Sequence, residues 1–192
     1  MEIVGTYNWL LVVVSVMAAV GASFVALSTV PRIYSATSNQ RSLAWITVFG
    51  LSLGTGIWTM HFIAILALQM PIPVQFDITL TAASLLLAIL SSGIAIAPLR
   101  SGGHLKVFSA KTLLIGTMMG LGVTGMHYSG MAAMRINAKM QHDPAIVAIS
   151  IAIAIIAATP ALLNANRLRD SRIYSQLVTK RSAATVMGIA LS

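Results

Sequence analysis

The chain has 192 residues, 57% of them hydrophobic and 8% charged, with a net charge of +8 and no cysteine. Soluble domains average about 25% charged residues, so this composition excludes a globule covered by water. The missing cysteine excludes disulfides, zinc–thiolate sites and thiolate-ligated haem.

Five apolar runs follow one another, at residues 8–30, 42–68, 76–98, 109–134 and 143–164. Each has the roughly 20 residues that a helix needs to cross a hydrocarbon core. Backbone groups in lipid must be bonded internally, which predicts helices; the alternating pattern of a membrane barrel is absent. The first run has Glu2 and no Lys or Arg before it, so it reads as a retained helix and not a cleaved signal peptide. Pro31, Pro71, Pro73, Pro98, Pro144 and Pro160 fall at or near the ends of the runs, where a lost backbone bond costs least. A sixth run begins at Ser182 and stops at Ser192. Eleven helical residues reach only ~16 Å, about half a bilayer. The expected fold is all-α: a polytopic transmembrane bundle of five full spans plus a truncated sixth.

The loops orient this bundle. Loops 31–41, 99–111 and 165–181 hold ten of the twelve Lys and Arg; Arg135 and Lys139 are the other two. The positive-inside rule therefore predicts an outward N-terminus and three cytoplasmic basic loops. Charge arranged in this way orients a membrane protein and gives no support to nucleic-acid binding.

A repeat is visible between the second and fourth runs. GLSLGTGIWTMHFIAILAL starts at Gly50 and GTMMGLGVTGMHYSGMAAM at Gly116. Gly50, Gly54, Gly56, Met60, His61, Phe62 and Ala67 match Gly116, Gly120, Gly122, Met126, His127, Tyr128 and Ala133 at a constant offset of 66. Ala184, Gly188 and Ala190 begin the pattern again. The unit is thus a helix pair, spanning about 8–68, 76–134 and 143–192, with the motif on the even-numbered helices.

The glycines read as small-xxx-small contacts that let helices approach closely, and are expected to draw the even helices together. Histidine inside a span is costly and faces the bundle interior, bonded to a neighbour or holding a ligand. His61 and His127 are expected at equal depth near the outer face. His127, Met131 and Met134 share a helix face at i, i+4 and i+7, with Met126 adjacent. Imidazole and thioether without Cys or carboxylate favour copper over zinc and exclude hard cations. Two histidines across a bundle also fit a haem iron, and the repeat does not separate the two. Trp9, Trp45 and Trp58 fit interfacial belts or packing, with Trp58 near the motif; His104 and His142 fall in loops. G-x3-G-x-G lies in an apolar helix and not after a strand, so a nucleotide site is rejected, and no nucleophile–base pair points to an enzyme.

With WTMHFIAILAL and TGMHYSGMAAM in this topology, the chain resembles the MHYT family of bacterial membrane sensors along nearly its whole length. The resemblance implies about seven helices in the bacterial inner membrane and three motifs near the outer face. It also implies copper bound by motif Met and His. The function implied is sensing of O2, CO or NO and relay to a cytoplasmic domain that makes or degrades cyclic di-GMP. Carried over by position, the ligand set is Met60, His61, Met126 and His127, with Met131 as a further candidate. The implied partners are the lipid bilayer, a diatomic gas and a cytoplasmic signalling domain or protein; a homodimer is compatible with these. Phe62-Ile63 replaces the family's Tyr-Thr, Ile65 stands where the second motif has Met131, and the third motif and an output domain lie outside the sequence. A copper-handling transporter is the alternative class, beside a membrane cytochrome.

Overall fold

The computed structural model describes residues 6–69, 74–101, 109–135 and 143–167. The sixth run, His104 and His142 lie outside these residues. Five long helices account for nearly all the described chain: α1 (Trp9–Ser35), α2 (Asn39–Ala67), α3 (Ile78–Ile96), α4 (Ala110–Ala133) and α5 (Pro144–Arg167). A 3-10 turn, Ala97–Ser101, extends α3. Each helix packs against its neighbour in sequence, in an up-and-down order.

Four of these helices, α1, α2, α3 and α5, are long and apolar enough to cross a membrane, and the chain is a multi-pass membrane protein. The fifth, α4, has the length, but its glycines, threonines and histidine lower its hydropathy. The distribution of side chains is that of a bundle in lipid. Ile146, Ile149, Ile153 and Ile156 form an exposed stripe on α5, as do Leu86, Leu90 and Ile94 on α3. In water such stripes would be an aggregation surface. The interior mixes large apolar residues such as Leu27, Phe49, Leu53 and Met119 with many small ones, among them Ala19, Ser23 and Ala26 on α1 and Ser84, Ala88, Ser92 and Ala95 on α3. Helices in lipid associate through this close backbone approach and not through hydrophobic burial.

The helix ends carry their own signals. Asn8 accepts from the N–H groups of Leu10 and Leu11, and Asp77 from those of Thr79 and Leu80, each capping a helix start. Asp143 takes the N–H of Ala145 just ahead of Pro144, which opens α5 where a missing donor costs nothing. Two two-residue strand pairs clasp the helices at one end of the bundle: β1 (Thr6–Tyr7) with β2 (Leu68–Gln69), and β3 (Gln75–Phe76) with β4 (Met134–Arg135). Asn8 donates its N–H to Ala67 O and Asp77 donates to Ala133 O, both at 2.8 Å. The sequence pattern did not predict these clasps, since two-residue strands have no period to read.

Two expectations are corrected. Pro31 and Pro160 do not mark boundaries; both lie inside helices, with α1 continuing to Ser35 and α5 to Arg167. A membrane helix tolerates a proline because its neighbours take up the freed backbone groups. The motif glycines do not join the even helices to each other. A Cβ on Gly54 would meet the backbone of Ala88 and Ile89 on α3, and one on Gly120 the backbone and side chain of Ile155 on α5. Gly56 faces Ala22 on α1, and Gly122 faces Ser91 on α3. Each even helix is thus pressed between two odd ones, because the odd helices carry the small residues that admit a backbone.

Candidate functional site

Pressing α2 and α4 onto the shared helix α3 leaves them to meet at a single place. There Nδ1 of His61 and Nδ1 of His127 lie 3.3 Å apart, with ring centroids 4.8 Å apart. The separation is that of a hydrogen bond in which one ring donates and the other accepts. His61 is buried and its Nε2 has no hydrogen-bond partner; His127 is half-buried. The matching positions in the sequence therefore become a physical pair.

A cavity of about 470 Å³ opens beside this pair. Tyr7, Leu68 and Met134 line it next to the clasps, and Met131 one turn along α4 from His127. Met60, His61, Met126 and His127 line it deeper, and Ile57 and Val123 stand one turn further in. All five residues named from the sequence as ligands thus face one space. Met134 begins β4, one residue beyond the end of α4, and still lines the cavity. Among the described residues no group of three or more His, Asp or Glu stands together, so the donors here are imidazole and thioether.

The surrounding ring contacts hold the histidines edge-on. Phe62 meets His61 at 83° and Tyr128 meets His127 at 82°. Trp58 stacks tilted on Phe62 at 4.6 Å and donates its Nε1–H to Ser84 on α3, 3.0 Å away. Trp58 thus ties α2 to α3 next to the site and does not line the cavity. Tyr128 OH and Ser150 Oγ are 2.8 Å apart and tie α4 to α5 at the cavity wall. Ser84 and Ser150 also donate to the carbonyls of Thr81 and Val147, a turn earlier. They stand 66 residues apart, like the motifs, a signal that the sequence reading passed over.

Gly130 was passed over as well. A Cβ there would lie 2.7 Å from His61 Nε2 and 3.0 Å from its Cδ2. The matching residue on α2 is Ala64, so the signal was a place where the repeat is broken.

At the clasped end, Arg135 donates to Asp77 Oδ2 at 2.5 Å, bracing the second clasp. The Arg135 hydrogen bond holds the Asp77 carboxyl below its ordinary range, with the N–H groups of Leu80 and Thr79 acting in the same direction. The opposite end holds Arg32, Arg41, Arg100, Lys111 and Arg167, with no carboxylate among the described residues there. Arg32 lies over the Trp45 ring, 4.7 Å from its centroid.

The family model for MHYT, described as a bacterial signalling protein N-terminal repeat, matches residues 54–107 and 120–175. The two matches begin at the two central motif glycines. Over 189 residues the chain is 37% identical to the bifunctional diguanylate cyclase/cyclic di-GMP phosphodiesterase MucR of Pseudomonas aeruginosa, covering 98% of this chain and 27% of that protein. It is 36% identical over 187 residues to the cyclic di-GMP phosphodiesterase NbdA of the same organism, covering 97% and 23%. With the signaling protein YkoW of Bacillus subtilis it shares 28% identity, covering 100% and 24%. The chain thus spans about a quarter of the length of these curated relatives. No solved structure matches it.

Proposed function

The chain belongs to the MHYT family of bacterial signalling proteins, and from that premise we propose that it is a membrane-embedded sensory module that holds copper near the outer face. It detects a diatomic gas (O2, CO or NO) or a redox change and signals inward, to an output such as cyclic di-GMP turnover. The observation that carries this reading is the His61–His127 pair, 3.3 Å apart at Nδ1, in a cavity lined by Met60, Met126 and Met131. Two imidazole nitrogens each about 2.0 Å from one ion in a tetrahedral arrangement are about 3.3 Å apart. The donor set, two imidazoles and several thioethers, suits copper, above all Cu(I). The same contact disfavours haem, because the two rings touch directly and leave no gap in which a macrocycle would fit. Bound there, copper would supply a coordination position for a diatomic ligand and a one-electron couple.

The residues around the pair do the rest. Tyr128 and Ser150 fix the far wall, and Met131 and Met134 give a soft, apolar approach from the outer end. His127 and Lys111 belong to one continuous helix, and Lys111 donates to Pro98 O on the 3-10 turn at the other end, 3.4 Å away. A displacement of α4 at the cavity therefore reaches the basic end without crossing a joint. The charge split and the clasps support five spans in two-helix units, an outward N-terminus and the bacterial inner membrane. The similarity to cyclic di-GMP enzymes supports an output of that kind in a longer protein.

Metal analysis of the purified protein tests the reading. Copper is expected in wild type and lost in His61→Ala and His127→Ala. Wild-type protein that holds neither copper nor iron after exposure to both would sink it.

A further inference from the structure

We propose that Gly130 is the positioning residue of the histidine pair, and that it makes the pair asymmetric. The proposal rests on the reading of His61 and His127 as the working site. Among the glycines of α2 and α4 described, Gly130 is the one whose missing Cβ is filled by the other motif helix. Gly50, Gly54, Gly56, Gly116, Gly120, Gly122 and Gly125 all face α1, α3 or α5. The slot over Gly130 takes the His61 ring edge: a Cβ would sit 2.7 Å from Nε2, 3.0 Å from Cδ2 and 3.5 Å from Cε2 of Phe62.

The consequence is chemical. His61 Nε2 is sealed against α4 without a hydrogen-bond partner, so His61 meets the site through Nδ1 alone. His127 occupies the matching place on α4, but the residue on α2 that matches Gly130 is Ala64, which lines the cavity, and His127 lines it half-buried. One histidine is therefore a fixed inward anchor and the other faces the space through which a ligand arrives. Methyl contact at Gly130 cannot be relieved by a flexible chain end, because an imidazole ring moves as a rigid body about two torsions and is already wedged against Phe62.

A double-mutant cycle on the whole purified chain in detergent, without metal, tests this. Gly130→Ala should lower the thermal midpoint by roughly 5 °C. In a His61→Ala background the same methyl has room, and the drop should vanish. Gly125→Ala is the control, since a Cβ there meets only the Leu87 side chain, closest at its terminal Cδ2, which a rotamer change can move aside. It should leave the midpoint and the histidine ring nitrogen resonances unchanged, whereas Gly130→Ala should shift the resonances of both rings. Cu(I), measured by chelator competition, should bind Gly130→Ala about tenfold more weakly than Gly125→Ala. An equal drop in midpoint with and without His61, or histidine resonances unmoved by Gly130→Ala, would overturn the proposal. Because the cycle and the resonances use no metal, absence of copper binding in every variant would defeat the functional reading and leave this one standing on its own result.

Discussion

Replacing Gly54 by alanine tests how the site is held. Its Cβ would lie 2.5 Å from Ile89 Cα, about 0.9 Å short of the 3.4 Å at which ordinary van der Waals contact begins. The opposing atoms are backbone, so no rotamer change relieves the overlap, and α2 must move away from α3 by nearly that distance. Overpacking of this kind costs about 1–3 kcal/mol, and the alanine returns up to ~1 kcal/mol of helix propensity. A net loss of about 1–2 kcal/mol corresponds to a midpoint roughly 2–8 °C lower for a chain of this size. Gly120→Ala, 2.6 Å from Ile155 Cα, should behave alike. Gly21→Ala supplies the reference, because nothing lies within 4 Å of its Cβ and it should match wild type or exceed it. Thermal denaturation in one detergent, read by intrinsic tryptophan fluorescence, compares the three. Since α3 is the common support of α2 and α4, Gly54→Ala should also weaken metal retention by the histidine pair. A Gly54→Ala protein as stable as Gly21→Ala would refute the account of the glycines as backbone contacts.

Three further outcomes follow from the geometry. Tyr128→Phe removes the bond to Ser150 but keeps a ring like Phe62 in the matching place, so the loss should be about 1 kcal/mol and should disappear in a Ser150→Ala background; a full loss there would point to ring packing instead. Asp77 has a folded-state pKa below its ordinary 3.8, so the contribution of its pair with Arg135 is fully present above about pH 4 and fades as pH falls through the lower folded value. Asp77→Asn keeps the cap, as Asn8 does on α1, and should flatten that acid limb; identical melting profiles for the two proteins from pH 7 to about pH 3 would count against the pairing. Because the chain has no cysteine, single cysteines at Tyr7 and Arg167 report topology directly. A membrane-impermeant maleimide on intact cells should label the first and spare the second; the reverse pattern would invert the orientation.

The legible part of the fold was what depends on composition and period. Apolar length located all five helices, because a segment in lipid has few alternatives to a helix. The site was legible for a different reason: two copies of Met-His at a constant spacing on parallel helices must reach the same depth, and the 3.3 Å contact follows once those helices touch. What the sequence hid was contact partners. Small-xxx-small names a residue that admits a neighbour and not which neighbour, so Gly54 and Gly120 were assigned to the wrong helices. Pro31 and Pro160 misled because the rule that prolines end helices is calibrated on helices in water. The clasps and the Arg135–Asp77 pair are contacts across 58 residues or more, made by segments too short to carry a pattern.

The two motif helices also differ in an ordered way, and the differences say where function was added. Positions that meet the supporting helices are kept between them: Gly50 and Gly116, Gly54 and Gly120, Gly56 and Gly122, Ala67 and Ala133. So are the deepest site residues, Met60 with Met126 and His61 with His127. Six mismatches follow the histidines as far as Leu68 and Met134, and four of them touch the site: Phe62 against Tyr128, Ala64 against Gly130, Ile65 against Met131 and Leu68 against Met134. In each mismatch α4 has the polar, soft or smaller member. The copy on α2 therefore supplies an apolar wall and one anchored histidine, and the copy on α4 supplies the further sulfurs, the hydroxyl tether and the slot that seats the anchor. A site with two equal halves would move both helices alike on binding a ligand. On the proposed reading, with the variable donors on α4 and the fixed one on α2, a change at the site would act on α4 relative to α2, the relative motion that a one-helix relay to the basic end requires.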